Sequence, residues 1–309
     1  MSGCRLAGRV ALLMLTLTGW NMVAKAESVP IRSGDRIVLI GSTFIERDVR
    51  YGCIETLFTS HFREYDLTFR NLGWSGDTVY GIARASFDSQ KQGYGRLIDQ
   101  AAAAEPDLIL VNYGNVESFE GEGGLQNFLD GYNKLLDDLD KLEARIVLIS
   151  PILQENLGAP LPNPATHNED VRLYTKAIGK LAKARDYGFV DMTEQLPVSN
   201  ELTSKPRTDN GLHFTEDGFW EASIALMSGL GYDTKKPNMK EVGDLHAAIL
   251  EKNRLFFNQW RPQNATYITG FRKHEQGRHA AETPMYDPII AEHEKNIAAL
   301  RNALPGEAR

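Results

Sequence analysis

The sequence predicts a three-layer α/β sandwich on one parallel five-stranded sheet. Three observations carry this. Short apolar, β-rich runs recur along the chain: Arg36-Ile-Val-Leu-Ile-Gly41, Leu67-Thr-Phe-Arg-Asn71, Leu108-Ile-Leu-Val-Asn112, Ile146-Val-Leu-Ile149 and Gly188-Phe-Val-Asp191. They are continuously apolar, as strands covered on both faces are, rather than alternating. The intervals between them carry helical spacing, so strand and helix alternate.

The chain opens on a leader. Arg5 and Arg9 precede an apolar core from Val10 to Leu17, and Ala24-Lys25-Ala26 fits a small-residue cleavage site. Residues 1–26 therefore read as a secretory signal peptide, and the protein is expected to be exported, periplasmic or secreted. No later run approaches membrane-span length, so no membrane span is expected. The formal net charge is −7, and the leader removes three cations and no acid, which argues against nucleic acid as a partner. Cys4 leaves with the leader, so Cys53 has no intrachain disulfide partner and reads as a small core residue. No Cys-x-x-Cys or other metal-ligand cluster is present, and neither metal nor cofactor is expected.

In the first strand's wake, Gly41 permits a tight turn into Ser42 and Thr43. These hydroxyls can serve as a nucleophile or as a helix cap. Gly52 to Phe62 is helical, with Ile54, Leu57, Phe58 and Phe62 on one face. The second strand ends in the glycine-punctuated loop Gly73-Trp-Ser-Gly76-Asp77-Thr78. Arg96 to Ala104 is a helix stopped by Pro106. The third strand opens into Tyr113-Gly114-Asn115-Val116-Glu117. Leu125 to Leu142 is a long amphipathic helix, the fourth strand closes on Ser150-Pro151, and Asp170 to Arg185 is helical. After the fifth strand, Thr208 to Glu216 is a loop containing His213, and Thr215 caps a helix from Gly218 to Leu230. Residues 27–235 form this domain, and 236–309 form a helical, aromatic-rich extension. Asp287 to Leu304 spaces its apolar residues as a narrow seam, suited to packing or to self-association; a protein partner is the other use of the extension.

The strand-end loops share one rim of a parallel sheet, where such folds bind ligands. The order of their motifs resembles the SGNH (GDSL-type) hydrolases, which implies a flavodoxin-like sandwich and an esterase or acylhydrolase activity. The resemblance covers about Arg36 to Leu230. Asn71-Leu-Gly73-Trp-Ser-Gly76 looks like the family's second motif, which makes Gly73 an oxyanion donor. His213 takes the place of the base. Thr43 falls on the family's nucleophile and Ser42 on the aspartate before it. Val116 stands where the family has asparagine, leaving Asn115 as the oxyanion amide. Asn210 stands where the orienting aspartate belongs, with Asp209 one residue earlier. Trp74 and Glu117 are the substrate-binding candidates, for a sugar ring and a sugar hydroxyl. Glu55 is a further acid placed near the rim.

Two functions follow. One is an ester hydrolase acting on a small-molecule or acylated carbohydrate ester through Thr43 or Ser42 with His213. The other is a catalytically inactive binding module for glycans or an envelope protein, favoured by the departures at Thr43, Val116 and Asn210.

Overall fold

The computed structural model describes residues 29–268, 270–275 and 279–305; the leader expected at 1–26 lies outside them. The chain runs β1 (Arg36–Gly41), α1 (Thr43–Asp48), α2 (Cys53–His61), β2 (Thr68–Asn71), α3 (Gln90–Ala103), β3 (Leu108–Asn112), α4 (Gly121–Leu139), β4 (Arg145–Ile149), α5 (Ala165–Ala184), β5 (Gly188–Val190), α6 (Met192–Gln195) and α7 (Glu216–Gly229). The extension adds α8 (Met239–Trp260), α9 (Ala265–Ile268) and α10 (Tyr286–Asn302).

All five strands pair in parallel in the order β2-β1-β3-β4-β5. The order reverses between β1 and β3, and that is where open α/β sheets leave a crevice. Strand alternation splits the core. Ile37 and Leu39 pack with α2 and α7, through Phe58 and Trp220; Val38 and Ile40 pack with α3, α4 and α5, through Leu97, Leu135 and Ile178. Cys53 is a buried free thiol, as a core residue should be.

Four helices of the sheet domain begin earlier than their spacing predicted, α3 and α5 by five residues or more and α4 and α7 by fewer. α3 starts at Gln90 rather than Arg96, because Ser89 and Gln92 form a reciprocal capping box. Gly93 and Gly95 weaken the helical pattern there and hid the start. α5 starts at Ala165, directly after Pro164.

The extension is built onto the sheet edge. α8 packs on α2 and β2, and Lys252 Nζ reaches Glu55 Oε2 at 2.7 Å with both side chains buried. Glu55 is therefore under the extension and not at the rim. Ile297 of α10, with Leu300 and Leu304 beside it, packs on Leu245, Ala248 and Ile249 of α8. The apolar seam is thus covered within the chain. No helix among the described residues is long and apolar enough to cross a membrane.

Candidate active site

The crevice at the β1/β3 switch holds a cavity of about 110 Å³ lined by Ser42, Thr43, Asn112, Asn115, Val116 and His213, with Phe119 and Leu153 among its apolar walls. Gly41 sets the turn into it: a Cβ there would lie 2.5 Å from the Asn112 carbonyl of β3, so only glycine lets β1 turn at this place. Ser42 then takes the N-cap position of α1 without making the cap hydrogen bond. Its side chain is 4% exposed and its hydroxyl has no partner among the described residues. Thr43 is half-buried, and its Oγ1 accepts the Gly76 N–H at 3.3 Å.

Aromatic packing draws the far loop over this turn. Phe44, beside Thr43, meets Phe214, beside His213, edge to face at 5.8 Å. Arg47 of α1 lies 3.6 Å from Asp209 of the same loop. The loop itself is a tight hairpin closed by a bridge between Thr208 and Phe214. Glu155 anchors it, accepting the Thr208 hydroxyl at 2.6 Å and the Thr208 N–H at 2.9 Å. No motif marked Glu155 in the sequence; it stands 53 residues from Thr208.

Asn210 fixes the imidazole of His213. Its Oδ1 accepts the N–H groups of Leu212 at 3.0 Å and of His213 at 2.8 Å. The amide nitrogen is thereby turned to His213 Nδ1, 3.1 Å away. Flipping the amide would set its NH₂ against two backbone donors, so Nδ1 accepts and the proton of the neutral ring sits on Nε2. Burial, then the Arg47 charge and to a lesser degree that of Arg50, push the His213 pKa below the ordinary imidazole value, against an opposing pull from Asp209. Asp209 is engaged with Arg47, its side chain 55% exposed, and makes no hydrogen bond to the imidazole.

The other candidates are spent inside the protein. Gly73 donates its N–H to Asn71 Oδ1 at 2.9 Å, while Asn71 Nδ2 donates to the Ile45 carbonyl at 2.7 Å. A Cβ on Gly73 would run into the Glu46 backbone, so the glycine serves the close approach of this loop to α1. Asn115 clamps Ile152, donating to its carbonyl at 2.9 Å and accepting its N–H at 3.1 Å. Glu117 lies beneath the rim, accepting Val79 N–H at 3.0 Å and Gly114 N–H at 2.9 Å. Burial pushes its pKa up to about 7. A carboxylate so engaged has no free edge for a sugar hydroxyl. Trp74 lies outside the cavity, with the Arg261 guanidinium 3.8 Å above its ring.

A wall that the motifs did not mark completes the cavity. Phe119 stacks on His167 with centroids 3.8 Å apart, and His167 Nε2 lies 3.0 Å from the Ser118 hydroxyl. Ser118 also donates to the Asn115 carbonyl at 3.1 Å, so His167 supplies the proton between the two. Ser118 is fully buried and does not face the cavity.

The sequence profile of the GDSL-like Lipase/Acylhydrolase family matches residues 51–220, more than half of the chain. This chain belongs to that family. The match begins after Thr43, so it includes the second motif and His213 and leaves out the turn that bears the hydroxyls. No curated protein matches the sequence. Among solved structures, a gut microbial diltiazem-metabolizing enzyme, BT4096, is 11% identical, with 88% of this chain and 96% of that chain covered at a TM-score of 0.57. Axe2, an acetylxylan esterase from Geobacillus stearothermophilus, is 15% identical, with 67% and 99% covered at 0.47. TesA is 13% identical, with 63% and 97% covered at 0.47. The first of these shares the fold. As a GDSL-like acylhydrolase the chain keeps a hydroxyl and an imidazole on one cavity, and it holds that imidazole with a donor where an acceptor would free Nε2 to take a proton.

Proposed function

We propose that this chain is an exported ester hydrolase that removes a short acyl group from a carbohydrate, with Thr43 as nucleophile and His213 as base. The observation that carries the reading is the convergence of Thr43 and His213 on one cavity at the β1/β3 switch. Thr43 is the better placed hydroxyl, since Ser42 is almost wholly buried. Attack by Oγ1 on the acyl carbon sends the hydroxyl proton to Nε2. The ester C–O bond then breaks and the carrier alcohol leaves with that proton; water hydrolyses the acyl-threonine, releasing the acid and restoring the Oγ1 hydroxyl. Gly76 N–H, already on Oγ1, favours the developing alkoxide. The backbone N–H of Thr43, at the first position of α1, has no intrahelical acceptor and is the donor left for the oxyanion. A cavity of about 110 Å³ admits an acetyl-sized group and no lipid chain; pockets enclosing drug-sized ligands run to roughly 300–1,000 Å³. The exposed polar residues Asp209 and Asn210 at the mouth suit a hydroxylated carrier.

Proton transfer to Nε2 requires the tautomer that Asn210 opposes, so turnover is expected to be slow. The same observation favours the second reading, a binding module in which Nε2–H donates to an ester carbonyl without cleaving it. Hydrolysis of a short-chain aryl acetate by the mature protein, beside Thr43→Ala, Ser42→Ala and His213→Ala, separates the two. Activity lost in Thr43→Ala and His213→Ala supports the hydrolase; parent and variants alike inert, or alike active, removes it. Export is checked by N-terminal sequencing of protein recovered from the periplasm or medium. A start at Glu27 is expected, and a chain retaining Met1 would contradict it.

A further inference from the structure

Beside Trp74 of the Gly73–Thr78 loop lies a larger cavity, about 700 Å³, bounded by that loop, by Ser86 to Asp88 and the body of α3, by the end of α8 and by residues 261–271. Its volume falls within the roughly 300–1,000 Å³ of small-ligand sites. Its base is aromatic. Trp74 and Trp260 meet edge to face at 5.8 Å, and Phe257 meets Trp260 at 5.8 Å. The indole N–H of Trp260 has no acceptor among the described residues. At the mouth, Phe87 is 81% exposed and Phe271 is 74% exposed, their rings edge to face at 6.2 Å.

Three arginines line this cavity, and each is already matched. Arg84 is fully buried, with Nε on Asp77 at 2.7 Å, Nη1 on Gln100 at 3.0 Å and Nη2 on the Leu72 carbonyl at 2.7 Å. Arg96 pairs with Asp88 and also donates to the Arg84 and Ala85 carbonyls. Arg261 pairs with Glu46 while covering Trp74. An anionic ligand would have to displace these partners, so the site selects against charge. What it presents is aromatic faces and the neutral amides of Gln263 and of Gln100, whose oxygen is already taken by Arg84. That combination fits a ligand with apolar faces and uncharged hydroxyl edges.

We infer that this cavity binds a neutral carbohydrate chain, separately from the acyl cavity. The carbohydrate class deepens the proposed hydrolase reading and rests on it for the carrier, although the binding itself needs no turnover. The two sites share a loop: Trp74 faces the large cavity, while Gly76 holds Thr43 Oγ1. Arg261 and Glu46 tie the end of α8 to α1, and Glu46 also accepts the Ser75 N–H.

Isothermal titration of the mature protein with xylohexaose, cellohexaose and chitohexaose tests the inference. At least one hexasaccharide is expected to bind, with affinity unchanged in Thr43→Ala and His213→Ala. Phe87→Ser and Phe271→Ser, at exposed positions, are expected to weaken it about two- to tenfold, the worth of one aromatic contact. Trp260→Ala should abolish it, with circular dichroism checking the fold. No binding by any of the three sugars overturns the inference, as does binding indifferent to the Phe87 and Phe271 variants. Binding lost in Thr43→Ala or His213→Ala would place the sugar in the acyl cavity and overturn it too. An inert esterase that still binds sugar through Phe87 and Phe271 would sink the hydrolase reading alone.

Discussion

Asn210 donates its side-chain amide to Nδ1 of His213 across 3.1 Å, with the carbonyl end of the amide held by two backbone N–H groups. An aspartate in the same position would keep both backbone bonds through one oxygen and accept Nδ1–H through the other. In a serine protease triad the reverse exchange, aspartate to asparagine, costs about 10⁴-fold in kcat by stabilising the wrong tautomer. Asn210→Asp is therefore expected to raise kcat on an aryl acetate by at least about tenfold, with that 10⁴-fold as the ceiling. KM should change little. A kcat equal to or below the parent's would show that His213 is not the base.

The same pair sets the pH profile. Burial and the Arg47 and Arg50 charges disfavour the imidazolium, so His213 loses its proton at lower pH than a free imidazole. A reaction needing neutral His213 should hold its kcat/KM from alkaline pH down past the usual value of about 6.5, then fall. Arg47→Gln removes one cation and releases the Asp209 carboxylate, and both changes favour the imidazolium. Its acid limb should move to higher pH, and Asn210→Asp should move it the same way. A limb that stays in place in both variants would assign it to another group.

The strands were legible because each is a short apolar run closed by Gly, Asn, Ser or Asp, and the rim followed from their parallel pairing. The meeting of Thr43 and His213 was legible for the same reason. What each candidate does there was not. Gly73 N–H goes to a side chain two residues away, which no glycine pattern announces. Asn115 binds Ile152 from 37 residues off, and Glu155 binds Thr208 from 53. Those bonds depend on where loops are laid down in space. Glu117 sits in a rim motif, yet burial and two backbone donors draw it inward. Phe44 and Phe214 were the missing clue, since aromatic residues beside both Thr43 and His213 are what close the loop.

Glu117 accepts one backbone N–H on each carboxylate oxygen. Glu117→Gln keeps one acceptor and turns an NH₂ against the other donor, a loss of about 1–3 kcal/mol. The cost should depend on pH. The folded-state pKa is about 7, against an ordinary glutamic acid value of 4.5. For an acid raised in this way the unfolded chain gives up its proton first, so the wild-type contribution declines as pH rises from 4.5 to 7. Urea unfolding should show a larger penalty for Glu117→Gln at pH 5 than at pH 8. An equal penalty at both values would mean that the carboxyl is ionised throughout.

Lys252 fastens the extension to the core. Its ammonium donates to Glu55 at 2.7 Å, to Asn253 Oδ1 at 2.7 Å and to the Phe69 carbonyl at 3.2 Å, so all three protons are used. Burial pushes the Lys252 pKa down and the Glu55 pKa up, while each charge opposes the shift of its partner. Lys252→Met strands the Glu55 carboxylate in the core and is expected to cost about 3–5 kcal/mol. The stranded acid can escape by taking a proton, so the penalty should shrink as pH falls from 8 to 5. The double variant Glu55→Gln with Lys252→Met removes the charge altogether and should recover part of the loss at pH 8. Thermal and urea unfolding of the three proteins at both pH values measures this. A Lys252→Met protein within about 1 kcal/mol of the parent at pH 8 would show that α8 is held by apolar contacts such as those of Phe256 and Trp260 with the core, and that the ion pair adds nothing.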